Sequence, residues 1–269
     1  MTELAIIGAD IQEVIGSATA LYIIFGLPLW IGSLVTILDS FLFLFIHYFG
    51  VRKLEAFFAV LIFVMAVCFC LNMFTAKPDV GAMAKGLIVP TVPSGSLPAA
   101  LGLVGAVIMP HNIYLYSSLV LTRKLNLKSK NQMYQATVYN RIDNGISLVI
   151  SFVISTAVIA TFASYIISHP DSPPLDLLTA SDALAETFGN SAKYIWAIGL
   201  LAAGQSSTMT GTYAGQFVME GFLSFKLPIW KRVLITRSVA IVPALVVVFL
   251  NQDSLTNMDS YLNVLQNVQ

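Results

Sequence analysis

A long apolar run in the middle of the chain, residues 97–122, contains the stretch Gly105-Ala106-Val107-Ile108-Met109-Pro110-His111-Asn112. Its length and composition predict a helix that crosses a membrane. Pro110 has no backbone N–H and its ring clashes with the carbonyl four residues earlier, so the Ala106 carbonyl loses its helical partner. Helical backbone angles are disfavoured at Met109 because it precedes a proline. The stretch predicts a helix that is broken near the middle of the bilayer.

The break brings two kinds of metal-binding atom together. A carbonyl oxygen alone suits Mg²⁺ or Ca²⁺, whereas the soft sulfur of a methionine adds a preference for ions such as Mn²⁺, Fe²⁺, Co²⁺ and Cd²⁺. We therefore predict metal contacts from the Ala106 carbonyl and Met109. His111 and Asn112 add polarity beside the break, which favours a site that moves an ion or a proton. The alternatives are a purely structural proline kink and a Met109 that only packs.

The composition excludes a water-soluble fold. Of the 269 residues, 57% are hydrophobic and 10% are charged, and the mean hydropathy is +0.81, whereas about a quarter of the residues of soluble domains are charged. With a net charge of zero we expect no nucleic-acid partner. An all-α membrane protein embedded in a lipid bilayer is predicted, with helices at 2–24, 29–49, 53–75, 97–122, 138–166, 192–222 and 233–250 and a further one starting near 258.

Two long connections, 76–96 and 167–191, lie on the side of the predicted bundle that carries fewer basic residues. Because cytoplasmic loops are enriched in Lys and Arg, the basic side is predicted to be cytoplasmic. The N-terminus of the chain is then cytoplasmic and the long connections face outward. One side carries Arg52, Lys53, Arg123, Lys124, Lys128, Lys130, Lys226, Lys231 and Arg232, and the other carries Lys77, Lys85 and Lys193.

The first helix carries a polar stripe inside an apolar run. Its spacing at about 100° per residue places the polar side chains on one face, and they are Glu3, Asp10, Glu13 and Ser17. Carboxylates in a membrane span are costly unless hydrated, paired or protonated, which makes them candidate proton carriers. Arg237, in the apolar run 233–250, is the predicted partner. A structural intramembrane salt bridge is the equally weighted alternative.

Four motifs, in order along the chain, resemble those of the Nramp (natural resistance-associated macrophage protein) family of divalent metal-ion transporters. They resemble the third, sixth, eighth and tenth helices of that family, and they are IGADIQEVIG at 7–16, GAVIMPHNIYL at 105–115, AGQSSTMTGTYAGQ at 203–216 and LNVLQ at 262–266. The third motif, with Gly211 and Gly215 in the GxxxG relation, is by itself best explained by close helix packing.

The resemblance implies a leucine-transporter-type bundle of two inverted five-helix repeats. It divides the chain into 1–75, the last three helices of the first repeat; 76–96, an external loop; and 97–269, a second repeat truncated in its last helix. The chain is thus expected to be a piece of a longer protein that lacks the first two helices. The family's Asp-Pro-Gly-Asn motif would belong to the first of them.

The resemblance also implies roles for individual residues. Met109, the Ala106 carbonyl and Gln266 would contact the metal, with Pro110 and Asn112 at the break. Asp10, Glu13 and Arg237 would lie along a proton route, with His111 beside the site. Two departures are visible: Tyr116 stands where many members have a second histidine, and Asp143 stands where a glutamate is usual.

The expected function is secondary active transport of Mn²⁺ or Fe²⁺ coupled to protons, without enzymatic chemistry and without a cofactor. The site would therefore hold a transported ion as substrate. One alternative is an amino-acid or polyamine carrier of the same fold, in which the helix break would meet a charged end of the substrate. Another is a transporter-like sensor that moves no ions, or a truncated product. The oligomeric state and the membrane that holds the protein stay open.

Overall fold

The computed structural model describes residues 2–48, 50–121, 129–173, 175–223, 228–250 and 262–263. These residues form ten helices. Each predicted apolar run up to residue 250 corresponds to one of them, except that the run 97–122 corresponds to two, which confirms the all-α class. The helices are α1 (Thr2–Phe25), α2 (Leu29–Tyr48), α3 (Val51–Ala76), α4 (Val80–Ile88), α5 (Leu97–Val107), α6 (Pro110–Leu121), α7 (Lys130–Ser168), α8 (Leu177–Phe188), α9 (Asn190–Leu223) and α10 (Ile229–Leu250).

The predicted break is present, because α5 ends at Val107 and α6 begins at Pro110. The Ile108 backbone has φ −95 and ψ 88, and its N–H still donates to the Val104 carbonyl at 2.8 Å. Helical bonding resumes with the Asn112 N–H, which donates to the Met109 carbonyl at 3.0 Å. Proline is well tolerated as the first residue of a helix, so Pro110 both ends one helical segment and starts the next.

The two long connections contain helices that the sequence prediction missed. In 76–96, α4 begins after Asp79, whose carboxylate accepts from the Gly81 and Ala82 N–H groups at 2.8 and 3.2 Å. In 167–191, α8 begins after Asp176, which forms a capping box with Thr179. An acidic residue at such a position satisfies the free N–H groups of the first turn. Both connections are therefore partly ordered by local capping.

Helix α7 also starts earlier than predicted, at Lys130 rather than at 138. Ser129 caps it by accepting from the Gln132 N–H at 3.4 Å. At about 1.5 Å per residue, its 39 residues span about 58 Å, nearly twice the roughly 30 Å of a hydrocarbon core. Helix α7 is therefore longer than the apolar layer is thick, and we expect its polar N-terminal turns, residues 130–137, to extend beyond that layer.

Helices α1 and α9 form the centre of the bundle. Helix α1 packs mainly on α9 and also on α2 and α10, whereas α9 contacts α3, α6 and α8 as well. Among the described residues, four segments are long and apolar enough to cross a membrane: Thr2–Phe25, Lys53–Ala76, Leu97–Leu121 and Lys130–Ser168. In the first of these, 78% of the most apolar window is buried in protein, against 17 to 22% in the others. The helix that carries the carboxylates is thus shielded from lipid.

A glycine in α2 allows a close approach to α1. A Cβ atom at Gly32 would stand 2.9 Å from the Ala18 Cα and 3.0 Å from the Ala18 carbonyl oxygen. Because both atoms belong to the backbone, the contact cannot be relieved by a side-chain rotation. We expect Gly32→Ala to destabilise the protein by about 1 to 3 kcal/mol, as overpacking typically does.

The loss of monodisperse protein on heating in detergent measures this effect. Gly145→Ala in α7 is the matched control, since nothing lies within 4 Å of a Cβ at that position. Equal thermal stability of the two variants would contradict the close packing of α1 on α2.

Candidate functional site

A cavity of about 530 Å³ lies between α1, α3, α6, α7 and α9. Glu13 of the carboxylate stripe faces it, and so do three residues of the helix break, Met109, His111 and Asn112. These two motifs lie about a hundred positions apart in the sequence. The fold therefore brings the predicted soft metal ligand and one predicted proton carrier to the same cavity.

Other predicted site residues lie near the cavity or outside the described part of the chain. Ala106 and Pro110 are half-buried and are not among the described lining residues. Asp10 is fully buried behind the lining. Gln266 and the side chain of Arg237 lie outside the described residues. Asn263, three positions before Gln266, accepts a hydrogen bond from the Gln12 side-chain amide at 2.9 Å.

Small residues of α9 set the distance between the carboxylate stripe and the rest of the site. A Cβ at Gly211 would stand 3.2 Å from Asp10 Oδ1, and one at Gly204 would collide with Ser17 Oγ. A Cβ at Gly204 would also stand 3.3 Å from the Glu13 carbonyl oxygen. The close-packing interpretation of this glycine-rich motif therefore agrees with the structure. Polar residues of α1 fit only because α9 presents glycine there.

The first turn of α6 holds the polar residues beside the break. His111 is 2% exposed and Asn112 is exposed to the cavity. The Asn112 side-chain amide donates to the Met109 sulfur, with 3.7 Å between Nδ2 and Sδ. The thioether thus has a polar neighbour one helical turn away.

Hydroxyl groups on α7 and α9 complete the polar lining, and the sequence prediction did not assign them to the site. Ser206 and Thr210 donate to the Ala203 and Ser206 carbonyls at 2.9 and 2.8 Å. Ser206 and Thr210 are four residues apart and therefore share one face of a helix. This spacing is the feature of the sequence that could have indicated their place in the site. The hydroxyl-bearing residues of the lining are Ser151, Ser206, Ser207, Thr210 and Tyr213, and Glu55 of α3 is a further acidic lining residue.

The whole chain, residues 1–269, matches the family model described as natural resistance-associated macrophage protein-like. The chain belongs to the Nramp family. It is 50% identical to the metal transporter nramp1 homolog of Dictyostelium discoideum and 46% identical to the natural resistance-associated macrophage protein 2 of Mus musculus. Both similarities cover 100% of this chain but 50% and 52% of the relatives, so the chain spans about half their length.

A solved Nramp-type structure has the same fold. The manganese transporter of Eremococcus coleocola superposes with a TM-score of 0.79 at 34% identity, over 99% of this chain and 59% of that one. The predicted leucine-transporter-type helical bundle is thereby confirmed. The Dictyostelium discoideum and Eremococcus coleocola proteins are named as transporters, in agreement with the expectation of a transporter and not an enzyme.

Tyr116, one of the two departures from the Nramp pattern, has a structural partner. Its hydroxyl donates to the Asn140 carbonyl at 3.1 Å and so ties α6 to α7. Tyr116 is not among the described residues of the cavity lining. Asp143, the second departure, lies on the exposed surface of α7.

Proposed function

We propose that this Nramp protein carries a divalent transition-metal ion, Mn²⁺ or Fe²⁺, across a membrane together with protons. The observation that carries the proposal is the single cavity that Met109 and Glu13 share. A thioether favours later and softer ions over Ca²⁺, and an intramembrane carboxylate is suited to take up and release a proton. The names of the relatives, metal transporter and manganese transporter, support the same class of substrate.

The metal would bind at the break between α5 and α6. Pro110 supplies no N–H to the Ala106 carbonyl, so this oxygen is free of helical bonding and can turn to an ion beside the Met109 sulfur. Gln266 would add an oxygen when the site closes. We propose that α1–α3 end a first repeat and that α5 onward belongs to a second one. Rocking of one helix bundle against the other would then alternate access to a midplane site.

The proton would move along α1. Glu13 faces the cavity, and Asp10 lies one helical turn away, fully buried against α9. Arg237 would balance their charge and His111 would lie between the carboxylates and the metal. The excess of basic residues on one side supports a cytoplasmic N-terminus of α1, from which the proton would leave to the cytoplasm.

Uptake into liposomes tests the proposal against the other carriers of this fold. The protein encoded by the natural transcript is reconstituted into liposomes. The external buffer is acidic and the lumen is neutral. We expect Mn²⁺ to enter faster than into empty liposomes, Cd²⁺ to compete, Ca²⁺ to compete poorly, and the lumen to acidify as Mn²⁺ enters.

Uptake of an amino acid or a polyamine into the same liposomes is measured to distinguish metal transport from the rival function. Uptake of either one with no uptake of Mn²⁺ would contradict the metal-transport proposal. Mn²⁺ uptake without acidification of the lumen would contradict proton coupling alone.

A further inference from the structure

Two hydrogen bonds connect Asn112 to Met109 at the start of α6. The Asn112 backbone N–H donates to the Met109 carbonyl at 3.0 Å, and its side-chain amide donates to the Met109 sulfur at 3.7 Å. Pro110 is the first residue of α6, so Met109 occupies the cap position and Asn112 the third helical position. In a capping box the side chain at this third position also reaches back to the cap residue. Here the Asn112 side chain donates to the sulfur of the cap residue, Met109.

A methionine side chain needs such a contact to present its sulfur in one place. It has three rotatable bonds and loses more conformational entropy on ordering than most side chains. Met109 is half-buried at the edge of a cavity, where the surrounding atoms restrict it less than in a packed core. A hydrogen bond to the sulfur therefore selects among rotamers that packing leaves accessible.

We propose that Asn112 is a positioning residue that holds the Met109 sulfur toward the cavity and thereby sets the preference for soft over hard divalent ions. The inference rests on the proposed function, since it assumes that the thioether meets the transported ion. Asn112 acts through Met109 and needs no metal contact of its own. Thioether sulfur is a weak acceptor, so the amide can hold it without competing strongly with a metal.

The chemistry of the amide explains why asparagine is suited to this position. Aspartate has nearly the same shape, but its carboxylate accepts hydrogen bonds and donates none. It would release the sulfur and add a hard oxygen ligand. Because negative charge is stabilising in the first turn of a helix, Asn112→Asp is expected to fold. Glutamine keeps the N–H donor on a longer side chain.

The test is the ratio of apparent affinities for Cd²⁺ and Ca²⁺, measured by competition against Mn²⁺ uptake in the liposomes described above. We expect Asn112→Ala to lower the ratio by roughly threefold to tenfold, the effect of a rotamer preference of about one kilocalorie per mole. Asn112→Asp should lower it further by improving Ca²⁺ competition, and Asn112→Gln should lower it least. In a Met109→Ala background, Asn112→Ala should cause no further change.

Three outcomes would overturn the inference. If Met109→Ala lowers the ratio and Asn112→Ala does not, Asn112 does not position the sulfur. If Asn112→Ala lowers the ratio equally with and without Met109, it acts independently of the thioether. If Met109→Ala itself leaves the ratio unchanged, the thioether role in the proposed function fails, and the inference fails with it.

A spectroscopic measurement supports the inference or overturns it without relying on transport. In Cd²⁺ X-ray absorption spectra of the purified protein, we expect a sulfur neighbour that weakens in Asn112→Ala, persists in Asn112→Gln and is absent in Met109→Ala. An undiminished sulfur signal in Asn112→Ala would overturn the positioning role. Should the alanine variant fail to fold, the aspartate and glutamine variants make the same comparison.

Discussion

Replacing Met109 by alanine is expected to lower the preference of the protein for Cd²⁺ over Ca²⁺ by about tenfold or more. The change removes the soft sulfur from the proposed site, whose other proposed donors are oxygens. A loss of about 1.4 kcal/mol of differential binding free energy corresponds to a factor of ten. Mn²⁺ uptake itself should fall less than Cd²⁺ uptake, because Mn²⁺ accepts oxygen ligands readily. Competition of Cd²⁺ and Ca²⁺ with Mn²⁺ uptake measures the ratio.

Met65 provides a matched control, because it lines the same cavity from α3 and not from the helix break. Met65→Ala removes an equal side chain and should leave the Cd²⁺ to Ca²⁺ ratio within about twofold of the unsubstituted protein, a difference of less than half a kilocalorie per mole. An unchanged ratio in Met109→Ala, or an equal change in both variants, would refute a specific thioether ligand.

Replacing Glu13 by glutamine is expected to abolish most of the acid stimulation of metal uptake. The substitution keeps the size and shape of the side chain but replaces the group that gains and loses a proton by a neutral amide that does not. Glu13 faces the same cavity as Met109, so a proton held there would be close to the proposed metal site. Metal uptake should persist at a reduced rate and should become nearly independent of external pH. Mn²⁺ uptake and luminal acidification are recorded together across a range of external pH.

Glu186→Gln is the control for this prediction, since Glu186 lies exposed on α8, away from the described lining of the cavity. It should keep both the acid stimulation and the acidification of the lumen. If Glu13→Gln shows the same pH profile as the unsubstituted protein, Glu13 is not the proton carrier. If both variants lose acid stimulation, the effect is not specific to the cavity.

The broken helix could be predicted from the sequence because its cause is local. Pro110 lacks an N–H and restricts Met109 wherever the chain places them, and the structure ends α5 at Val107. The positions of the long apolar helices up to residue 250 were predictable for the same kind of reason, since length and hydropathy are properties of one segment. The helix predicted to start near 258 lies outside the described residues, apart from 262–263. The polar stripe of α1 followed from helical periodicity alone.

The pairing of the helices could not be predicted without the resemblance, because periodicity defines a face but not the helix that covers it. The central position of α1 against α9 depends on complementary shapes such as Asp10 beside Gly211. The hydroxyl groups of Ser206 and Thr210 belong to the site only because α9 turns that face to the cavity. The contact of Asn112 with Met109 depends on side-chain rotamers, which a sequence does not specify.

The short helices α4 and α8 show a different limit. Their caps, Asp79 and Asp176, are typical start signals, but prolines in the same connections also indicated irregular structure. Helix α4 forms after its cap because the neighbouring prolines lie outside it: Pro78 comes just before α4, and Pro90 and Pro93 come after it. Neither α4 nor α8 contains a proline, so nothing interrupts either helix after its cap.

The position of a bound ion decides whether the helix break is a metal site. Anomalous diffraction from crystals of the protein grown with Mn²⁺ or Cd²⁺ locates that ion directly. We expect one strong peak in contact with both the Ala106 carbonyl oxygen and the Met109 sulfur, at the gap between α5 and α6. A peak elsewhere would contradict a metal site at the helix break. An unbroken helix through residue 110 that turns Ala106 and Met109 toward lipid would contradict it as well.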